Sequence, residues 1–298
     1  MDYNSDSPVI LKIKSVYPGL KPSERRVADY ILTDTESFIY SNLAAASEAA
    51  NVSEATFVRF AKALGFSGYR DMHIAMAASR KSDSAEGIAD LSVDENTSFE
   101  DVPSIVINRA ICAFNNLKGI FDLKEYTKAV EALEKTQNIC VFGAGGSAYV
   151  GKDVANKFMR LGKFVQASSD PHVQVSYAVS MHPGDVAIGI SHSGETQQTV
   201  EVLRLAKNQG AKVICITNYE ASSAAKLADI KLLTASYEKI LQSETMVSRL
   251  SQLTIVDMLY LGLIQRNYKL YAPMIEKQNS TIVPMFFGQK SRNGGEKD

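Results

Sequence analysis

The fold is decided by the stretch VAIGISHSGET, residues 186–196, in which an unbroken apolar run leads directly into a loop of small and hydroxyl side chains. A stretch of the same design, GAGGS at residues 143–147, follows the apolar run 138–142. Unbroken apolar strands are typical of a parallel sheet that is covered on both faces. Because a glycine- and hydroxyl-rich loop before a helix presents free backbone N–H groups, it suits an anion. The two stretches therefore predict a parallel sheet whose loops hold one phosphate group.

Strand and helix patterns alternate outward from these two loops. This alternation is typical of a doubly wound α/β fold. Ahead of it, residues 105–135 have the pattern of one or two helices, and a helix near 245–265 closes the sheet domain. The predicted strands are 138–142, 164–168, 185–190, 212–217 and 230–234, with helices between them such as 147–161 and 196–208.

The first eighty residues have an all-helical pattern instead. A turn at 51–53 separates a short helix, 42–50, from a helix that Ser53 can cap and that Gly65 ends. A helix, a short turn and a second helix form the geometry that places the second helix in the major groove of DNA. A small helical dimerisation module is the alternative interpretation. The apolar side of the second helix carries Phe57, Phe60, Ala61 and Leu64, and its groove-facing positions are Ser53, Glu54, Thr56, Arg59 and Lys62.

Composition divides the chain into four parts. Residues 82–98 are polar, acidic and poor in large apolar side chains, as is typical of a linker. The last ten residues have the composition of a disordered tail. We expect a helix-turn-helix domain over 1–80, an acidic linker over 81–101, a sheet domain over 102–280 and a tail over 281–298.

Charge and cysteine content limit the possible functions. The net charge of −1 gives no sign of nucleic-acid binding, and the first eighty residues hold nine basic and nine acidic side chains. A DNA-binding site must therefore rest on the local pattern at 51–70, which has three basic residues and one acidic residue. Cys140 and Cys215 fall inside apolar strand patterns, which indicates buried free thiols, and no cysteine has metal-ligand spacing. Since no apolar run reaches eighteen residues, we expect a cytoplasmic protein without a membrane span.

The chemistry of the two loops points to a phosphate bound without a metal. Gly146 lets the backbone approach the anion closely, and Ser147 stands at a helix start with its hydroxyl free to donate. Ser191, Ser193 and Thr196 repeat this arrangement after the third strand. Because no acidic pair stands beside them to hold Mg²⁺, we expect neither a metal nor a cofactor.

The first loop also fits a dinucleotide fingerprint. Gly143, Gly145 and Ala148 match the pattern G-x-G-x-x-A, and Asp170 lies about the distance along the chain that a ribose contact requires. Asp170 is followed by a proline, however, which is typical of a turn and not of a strand end. A dinucleotide site also needs no second serine loop, so the second loop favours a sugar phosphate.

Residues 52–72, VSEATFVRFAKALGFSGYRDM, resemble the N-terminal signature of the RpiR family of bacterial transcription regulators. That signature, V-S-x-x-T-x-x-R-F-x-K-x-L-G-F-x-G-[FY], is long and specific, and the resemblance extends along the chain to about residue 280. The family joins a helix-turn-helix to a sugar isomerase (SIS) domain, a doubly wound fold that binds phosphosugars. The resemblance implies a dimer that binds operator DNA, responds to a phosphosugar effector and acts as a repressor of a sugar catabolic operon.

The resemblance also implies roles for individual residues. DNA contacts fall on Ser53, Thr56, Arg59, Lys62 and Arg70, and phosphate contacts on Ser147, Ser191, Ser193 and Thr196. At the sugar end of the site, His172 and Glu244 are candidates for hydrogen bonds to hydroxyl groups. A packing or capping role is the alternative for His172, and a dipole-favoured acid at a helix start is the alternative for Glu244.

The stretch DPHVQ, residues 170–174, resembles regulators of N-acetylated amino-sugar catabolism. It favours an N-acetyl-hexosamine 6-phosphate or N-acetylmuramic acid 6-phosphate as effector. One alternative is a phosphosugar isomerase or lyase that uses Glu244 or His172 for proton transfer. The helix-turn-helix argues against it, since stand-alone SIS enzymes need no such domain, and we expect no catalytic residues. A dinucleotide-responsive regulator is the other alternative.

Overall fold

Five parallel strands form one sheet in the order β2-β1-β3-β4-β5. Successive side chains point to opposite faces, so Ile139 and Val141 belong to one apolar cluster while Cys140 and Phe142 belong to another. Each strand begins and ends within one residue of its predicted range, which confirms the doubly wound α/β class. The strands are β1 (Asn138–Gly143), β2 (Phe164–Ala167), β3 (Val186–Ile190), β4 (Lys212–Thr217) and β5 (Ile230–Leu233).

The structure is a computed structural model that describes residues 7–79, 97–235 and 245–287. Most of the predicted linker 81–101 lies outside these residues, as does Glu244. The chain after residue 287, which holds the predicted disordered stretch, also lies outside them. The site is therefore described from the residues of these three ranges.

Residues 7–79 form a helical domain with its own core. Its helices are α1 (Pro8–Val16), α2 (Pro22–Thr33), α3 (Thr35–Tyr40), α4 (Leu43–Ala49), α5 (Glu54–Ala63) and α6 (Tyr69–Ser79). The four side chains predicted for the apolar side of the second helix, here α5, are all buried. Phe57 stacks on Phe38 of α3 with ring centroids 5.9 Å apart, and Met72 and Met76 of α6 lie in the same cluster. This packing fixes the orientation of α5 and leaves its polar face outward.

The remaining helices cover both faces of the sheet. They are α7 (Val102–Ile120), α8 (Leu123–Lys135), α9 (Gly146–Met159), α10 (Pro171–Val179), α11 (Gln197–Asn208), α12 (Ser223–Leu227), α13 (Thr245–Arg266) and α14 (Tyr268–Phe287). Val154 of α9 and Leu259 of α13 belong to the cluster on one face. Ala178 of α10 and Leu203 of α11 belong to the cluster on the other. Burial on both faces explains why the strands are apolar without interruption.

Four of the described helices, α1, α3, α6 and α14, have no counterpart among the predicted ones. α1 precedes the first predicted helix, and α14 continues to Phe287, so the boundary predicted at residue 280 falls inside it. Pro273 and Pro284 lie within α14 and obscure it in the sequence, because proline normally interrupts a helix.

The predicted turn at Asp170 is wrong, since Asp170 caps α10. Its Oδ1 accepts hydrogen bonds from the backbone N–H groups of His172 at 2.8 Å and Val173 at 3.1 Å. Pro171 then occupies the first helical position, where its missing N–H removes no hydrogen bond. His172, expected on a loop, therefore lies in the first turn of a helix.

Among the described residues, α13 is the one helix that has the length and composition of a membrane span. Its part from Val247 to Arg266 is long and apolar enough to cross a bilayer by length and composition alone, although 44% of it is buried within the fold. Val256, Leu259 and Leu263 pack in the cluster beside the sheet. Its hydropathy is therefore accounted for by its place in the core.

The two strand cysteines should resist alkylation in the folded protein. Burial raises the pKa of Cys140 to about 11 and that of Cys215 to about 12, and the thiolate is the reactive form. We expect iodoacetamide near neutral pH to modify only Cys112, which is half-buried, and to modify all three cysteines in urea. Mass spectrometry of the labelled protein checks this. Labelling of Cys215 at the rate of Cys112 without denaturant would contradict the described core.

Candidate functional site

The carboxyl ends of β1 and β3 meet at the same level of the sheet. The two strands pair in parallel, with Ile139 opposite Val186 and Gly143 opposite Ile190. The chain runs from β1 to β2 on one side and from β3 to β4 on the other, so the strand order reverses between β1 and β3. A crevice opens at such a switch point, and ligands of doubly wound sheets bind there. The two predicted loops therefore leave the sheet side by side.

A cavity of about 300 Å³ lies between these two loops. Its volume is at the small end of the range for small-molecule sites. It is lined by the first loop, by the second loop and by the start of α13. The lining residues are Ala144, Gly145, Gly146, Ser147, Ile190, Ser191, His192, Ser193, Thr196, Ser248 and Arg249.

The second loop is held in shape by its own hydroxyl groups. Ser191 is buried, and its Oγ accepts a hydrogen bond from the backbone N–H of Gly194 at 3.0 Å. The same Oγ lies 3.2 Å from Oγ1 of Thr196. Oγ of Ser193 accepts from the backbone N–H of Glu195 at 3.2 Å. The hydroxyl groups thus shape the loop as well as line the cavity.

Residues 217–224, which begin with the last residue of β4, are hydrogen-bonded to the second loop. We call them the bridge segment. Oγ1 of Thr217 and the backbone N–H of Asn218 both donate to the carbonyl oxygen of His192, at 3.1 and 3.0 Å. The backbone N–H of Ala224 donates to the carbonyl oxygen of Gly194 at 2.9 Å. The backbone N–H of residue 223 donates to the carboxylate of Glu195 at 2.8 Å. These four hydrogen bonds join the bridge segment to the second loop.

The first loop is built by glycine and is tied to β2. A Cβ on Gly143 would lie 3.1 Å from the carbonyl oxygen of Ile190, so the two strands approach too closely for a side chain there. Gly145 adopts a φ of +52°, which an L side chain rarely adopts, and caps α9. The fully buried Gln174 donates through Nε2 to the carbonyl oxygens of Gly143, at 2.8 Å, and Ser168, at 2.7 Å. This amide holds the base of the loop in place.

Positive potential converges on the cavity from three sources. The N-termini of α9 and α11 both open beside it, and each carries the positive end of a helix dipole. The third source is Arg249 of α13, which carries a positive guanidinium group. Arg249 and its neighbour Ser248 both line the cavity. The sequence prediction missed these two, because they lie more than fifty residues after the second loop and match no anion motif. Hydroxyls, backbone N–H groups and an arginine together suit a phosphate.

The structure brings together five of the seven residues predicted for the effector: Gly146, Ser147, Ser191, Ser193 and Thr196. Ser147 Oγ reaches Gln252 Oε1 of α13 at 3.5 Å. His172 is exposed at the start of α10 and is not among the cavity-lining residues, and Glu244 lies outside the described residues. Asp170 is the ribose contact of the dinucleotide alternative, and its Oδ1 accepts the two hydrogen bonds that cap α10.

The second predicted site is the helix-turn-helix of α4 and α5. Asn51, with a φ of +50°, turns the chain between the two helices, and Oγ of Ser53 caps α5 by accepting from the backbone N–H of Thr56 at 3.3 Å. Arg59 and Lys62 are exposed on α5. The other predicted contact, Arg70, is exposed in the first turn of α6.

Thr56 is the one predicted DNA contact that is buried, with 6% of its surface exposed. Its Oγ1 lies 2.9 Å from Oγ of Ser53 and accepts a hydrogen bond from Arg59 at 3.2 Å. A buried hydroxyl between a cap and an arginine orients the guanidinium more readily than it reaches a base. Hydrogen bonds therefore link Ser53, Thr56 and Arg59 in a row along α5, with the exposed arginine at its end.

Comparison with known proteins divides the chain in the same way as its structure. Residues 8–83 match the helix-turn-helix domain of the rpiR family, and residues 132–262 match the SIS domain. A helix-turn-helix-type transcriptional regulator of Bacillus subtilis, YbbH, is 34% identical over 277 residues, which cover 92% of this chain and 96% of that protein. A regulator of the same type from Caldanaerobacter subterraneus subsp. tengcongensis is 32% identical over 279 residues, with 92% and 96% covered.

Among solved structures, the Vibrio vulnificus NanR protein complexed with ManNAc-6P matches with a TM-score of 0.60. It is 22% identical, and the match covers 94% of this chain and 99% of that one. The sugar isomerase domain of an RpiR transcription factor from Sphaerobacter thermophilus matches with a TM-score of 0.56 and 20% identity, over 60% of this chain and 99% of that one. At these identities the likeness is one of fold.

The close contact between the second loop and the bridge segment predicts a difference between two glycine substitutions. Gly194 and Gly145 have φ values of +66° and +52°, so alanine strains the backbone at both. A Cβ on Gly194 would also lie 2.0 Å from Oγ of Ser222, whereas nothing lies within 4 Å of one on Gly145. We expect Gly194→Ala to lower the free energy of unfolding by about 1–3 kcal/mol more than Gly145→Ala, since overpacking costs that much. Urea denaturation measures both, and equal losses would contradict the described contact.

Proposed function

The chain belongs to the rpiR family of helix-turn-helix transcription regulators and carries a SIS domain, and from this premise we propose that it is a repressor that releases its operator when an amino-sugar 6-phosphate binds. The observation that carries the proposal is the convergence of two serine loops and Arg249 on one cavity, in a chain that also bears a helix-turn-helix. A regulator of transcription acts where the chromosome is, so we place it in the cytoplasm, as a dimer on a two-fold symmetric operator.

The phosphate of the effector is proposed to lie between the two helix N-termini. Ser147, Ser193 and Thr196 would donate through their hydroxyl groups, and Arg249 would supply a full positive charge. Ser191 is proposed both to donate through its hydroxyl group and to hold the N–H of Gly194, since a hydroxyl that accepts one hydrogen bond can still donate another. The sugar would then extend toward α10, where His172 is exposed, and Glu244, the other predicted sugar contact, lies outside the described residues.

Amino-sugar 6-phosphates are the effector class that two observations favour. The stretch at residues 170–174, which resembles regulators of N-acetylated amino-sugar catabolism, begins α10 at the carboxyl edge of β2. The Vibrio vulnificus NanR protein, which shares the fold of almost the whole chain, was solved in complex with ManNAc-6P. N-acetylmannosamine 6-phosphate, N-acetylglucosamine 6-phosphate and N-acetylmuramic acid 6-phosphate therefore form the first panel of ligands, with NAD as the test of the dinucleotide alternative.

Removing a cavity hydroxyl should weaken binding of the effector and leave binding of operator DNA unchanged. We expect Ser147→Ala and Ser193→Ala each to weaken the binding of N-acetylmannosamine 6-phosphate about tenfold or more. A hydrogen bond to a charged group contributes about 1.5–3 kcal/mol to binding. Operator affinity without effector should stay within about twofold of the wild type. Calorimetry and fluorescence anisotropy measure the two affinities.

The matched control for these variants is Ser180→Ala, since Ser180 is an exposed serine at the end of α10 that donates to the backbone carbonyl of residue 176, away from the cavity. Unchanged affinity in both cavity variants would place the phosphate elsewhere. Turnover of the bound sugar, followed by NMR, would support the isomerase or lyase instead, and binding of NAD alone would support the dinucleotide alternative.

The helix-turn-helix predicts a graded loss of operator binding. We expect Arg59→Ala to weaken operator affinity about tenfold, since loss of one base contact costs about 1–3 kcal/mol. Thr56→Val, which keeps the shape but removes the hydroxyl that orients Arg59, should have a smaller effect in the same direction. Lys118→Ala on α7 removes the same charge at an exposed position of the other domain and serves as control. Anisotropy titrations on a duplex selected by the wild-type protein measure all three, and an Arg59→Ala variant equal to the control would rule out this use of α5.

A further inference from the structure

Among the described residues, two contacts between the helical domain and the sheet domain flank a hollow. A cavity of about 970 Å³ separates the domains and is lined on one side by residues such as Lys12 and Phe66, and on the other by Tyr126 and Met258. One contact places α1 against α7 near Gly119. Atoms that line the hollow have no partner across it, so a relative shift of the two domains breaks no packing contact there.

The other contact joins the helical domain to the bridge segment behind the second serine loop. Gly19 ends a short 3-10 turn, Tyr17–Gly19, and lies directly against Ala221. A Cβ on Gly19 would lie 2.7 Å from Cβ of Ala221, so no side chain fits between them. The next residue back in the bridge segment, Glu220, lines the hollow. The bridge segment thus contacts the second loop on one side and the helical domain on the other.

The turn at Tyr17–Gly19 is tied to α2. The Tyr17 hydroxyl donates to the carboxylate of Asp29, and this hydrogen bond raises the pKa of Tyr17. The guanidinium of Arg25 lies over the Tyr17 ring, 5.3 Å from its centroid. Asp29 and Arg25 are both on α2, so a displacement of the turn moves α2 with it.

Helix α2 in turn packs on α5. Val27 and Ile31 of α2 are fully buried in the same cluster as Phe57 and Phe60 of α5. Cores at this packing density transmit a displacement because they do not deform continuously. Contacts therefore run unbroken from the cavity through the second loop, the bridge segment, Gly19 and α2 to the helix that bears Arg59.

We propose that the contact between Gly19 and Ala221 transmits effector occupancy to the DNA-binding helix. A ligand that draws the second loop toward the cavity draws the bridge segment with it, because four hydrogen bonds join them. Ala221 then moves relative to Gly19, and the helical domain shifts across the hollow. This inference rests on the proposed function and adds the route by which the effector acts.

The test exchanges one methyl group across the contact. Gly19→Ala adds a Cβ where Ala221 already has one, Ala221→Gly removes that Cβ, and the double variant carries a single methyl group, as the wild type does. Gly19 does not have a positive φ, so alanine there meets only the steric contact. Operator affinity of each full-length variant is measured by anisotropy with and without saturating N-acetylmannosamine 6-phosphate, on the duplex selected by the wild type.

The measured quantity is the factor by which the phosphosugar changes operator affinity, which is typically about 5- to 150-fold in allosteric proteins. We expect this factor to fall below about twofold in Gly19→Ala, to fall partly in Ala221→Gly, and to return in the double variant. Phosphosugar affinity by calorimetry should stay within a few-fold throughout, which also shows that each variant is folded. Gly68→Ala is the matched control, because nothing lies within 4 Å of a Cβ at Gly68.

Two outcomes overturn the inference while leaving the proposed function intact. The first is a wild-type factor in both single variants, and the second is a loss in both that the double variant does not reverse. If Gly19→Ala does not fold, Ala221→Gly alone decides, because it only removes atoms. A wild-type protein that binds neither the panel sugars nor DNA would overturn the proposed function itself, which separates the two failures.

Discussion

The structure depends on the parallel pairing of β1 with β3, which ends with Gly143 opposite Ile190. This register brings both loops out of the sheet at one level, and the opposite directions of the following connections keep the space between them open. A shift of one residue would also turn the apolar side chains of β3 toward the wrong cluster, so the packing of both faces holds the register. The cavity is therefore a consequence of sheet pairing and not of the loops alone.

Much of this arrangement could be predicted from sequence because it depends on local patterns. Unbroken apolar runs mark the strands of a sheet covered on both faces, and Ser53 and Gly65 mark the ends of α5 through capping and a left-handed turn. The glycine and hydroxyl loops are recognisable for the same reason, since their chemistry lies in five or six consecutive residues.

What the sequence did not predict depends on contacts between distant segments. Arg249 reaches the cavity from α13, and its position follows only from the packing of that helix against α9. The burial of Thr56 follows from the fit of α5 in its domain, although its place on the helix suggested exposure. The contact of Gly19 with Ala221 joins residues two hundred positions apart, and neither belongs to a motif.

The character of the cavity lining bears on how binding energy is used. Hydroxyls, backbone N–H groups and a guanidinium hold a phosphate by donating to it, and none of these contacts moves a proton. An enzyme gains from contacts that are stronger in the transition state, whereas a sensor gains from contacts that differ between two conformations of the protein. The second loop is suited to the latter use, because its hydrogen bonds run both inward around the cavity and outward to the bridge segment. Under the proposed function, a phosphate that tightens the inner set would draw the bridge segment with it through the outer set, and the bridge segment contacts the helical domain at Ala221.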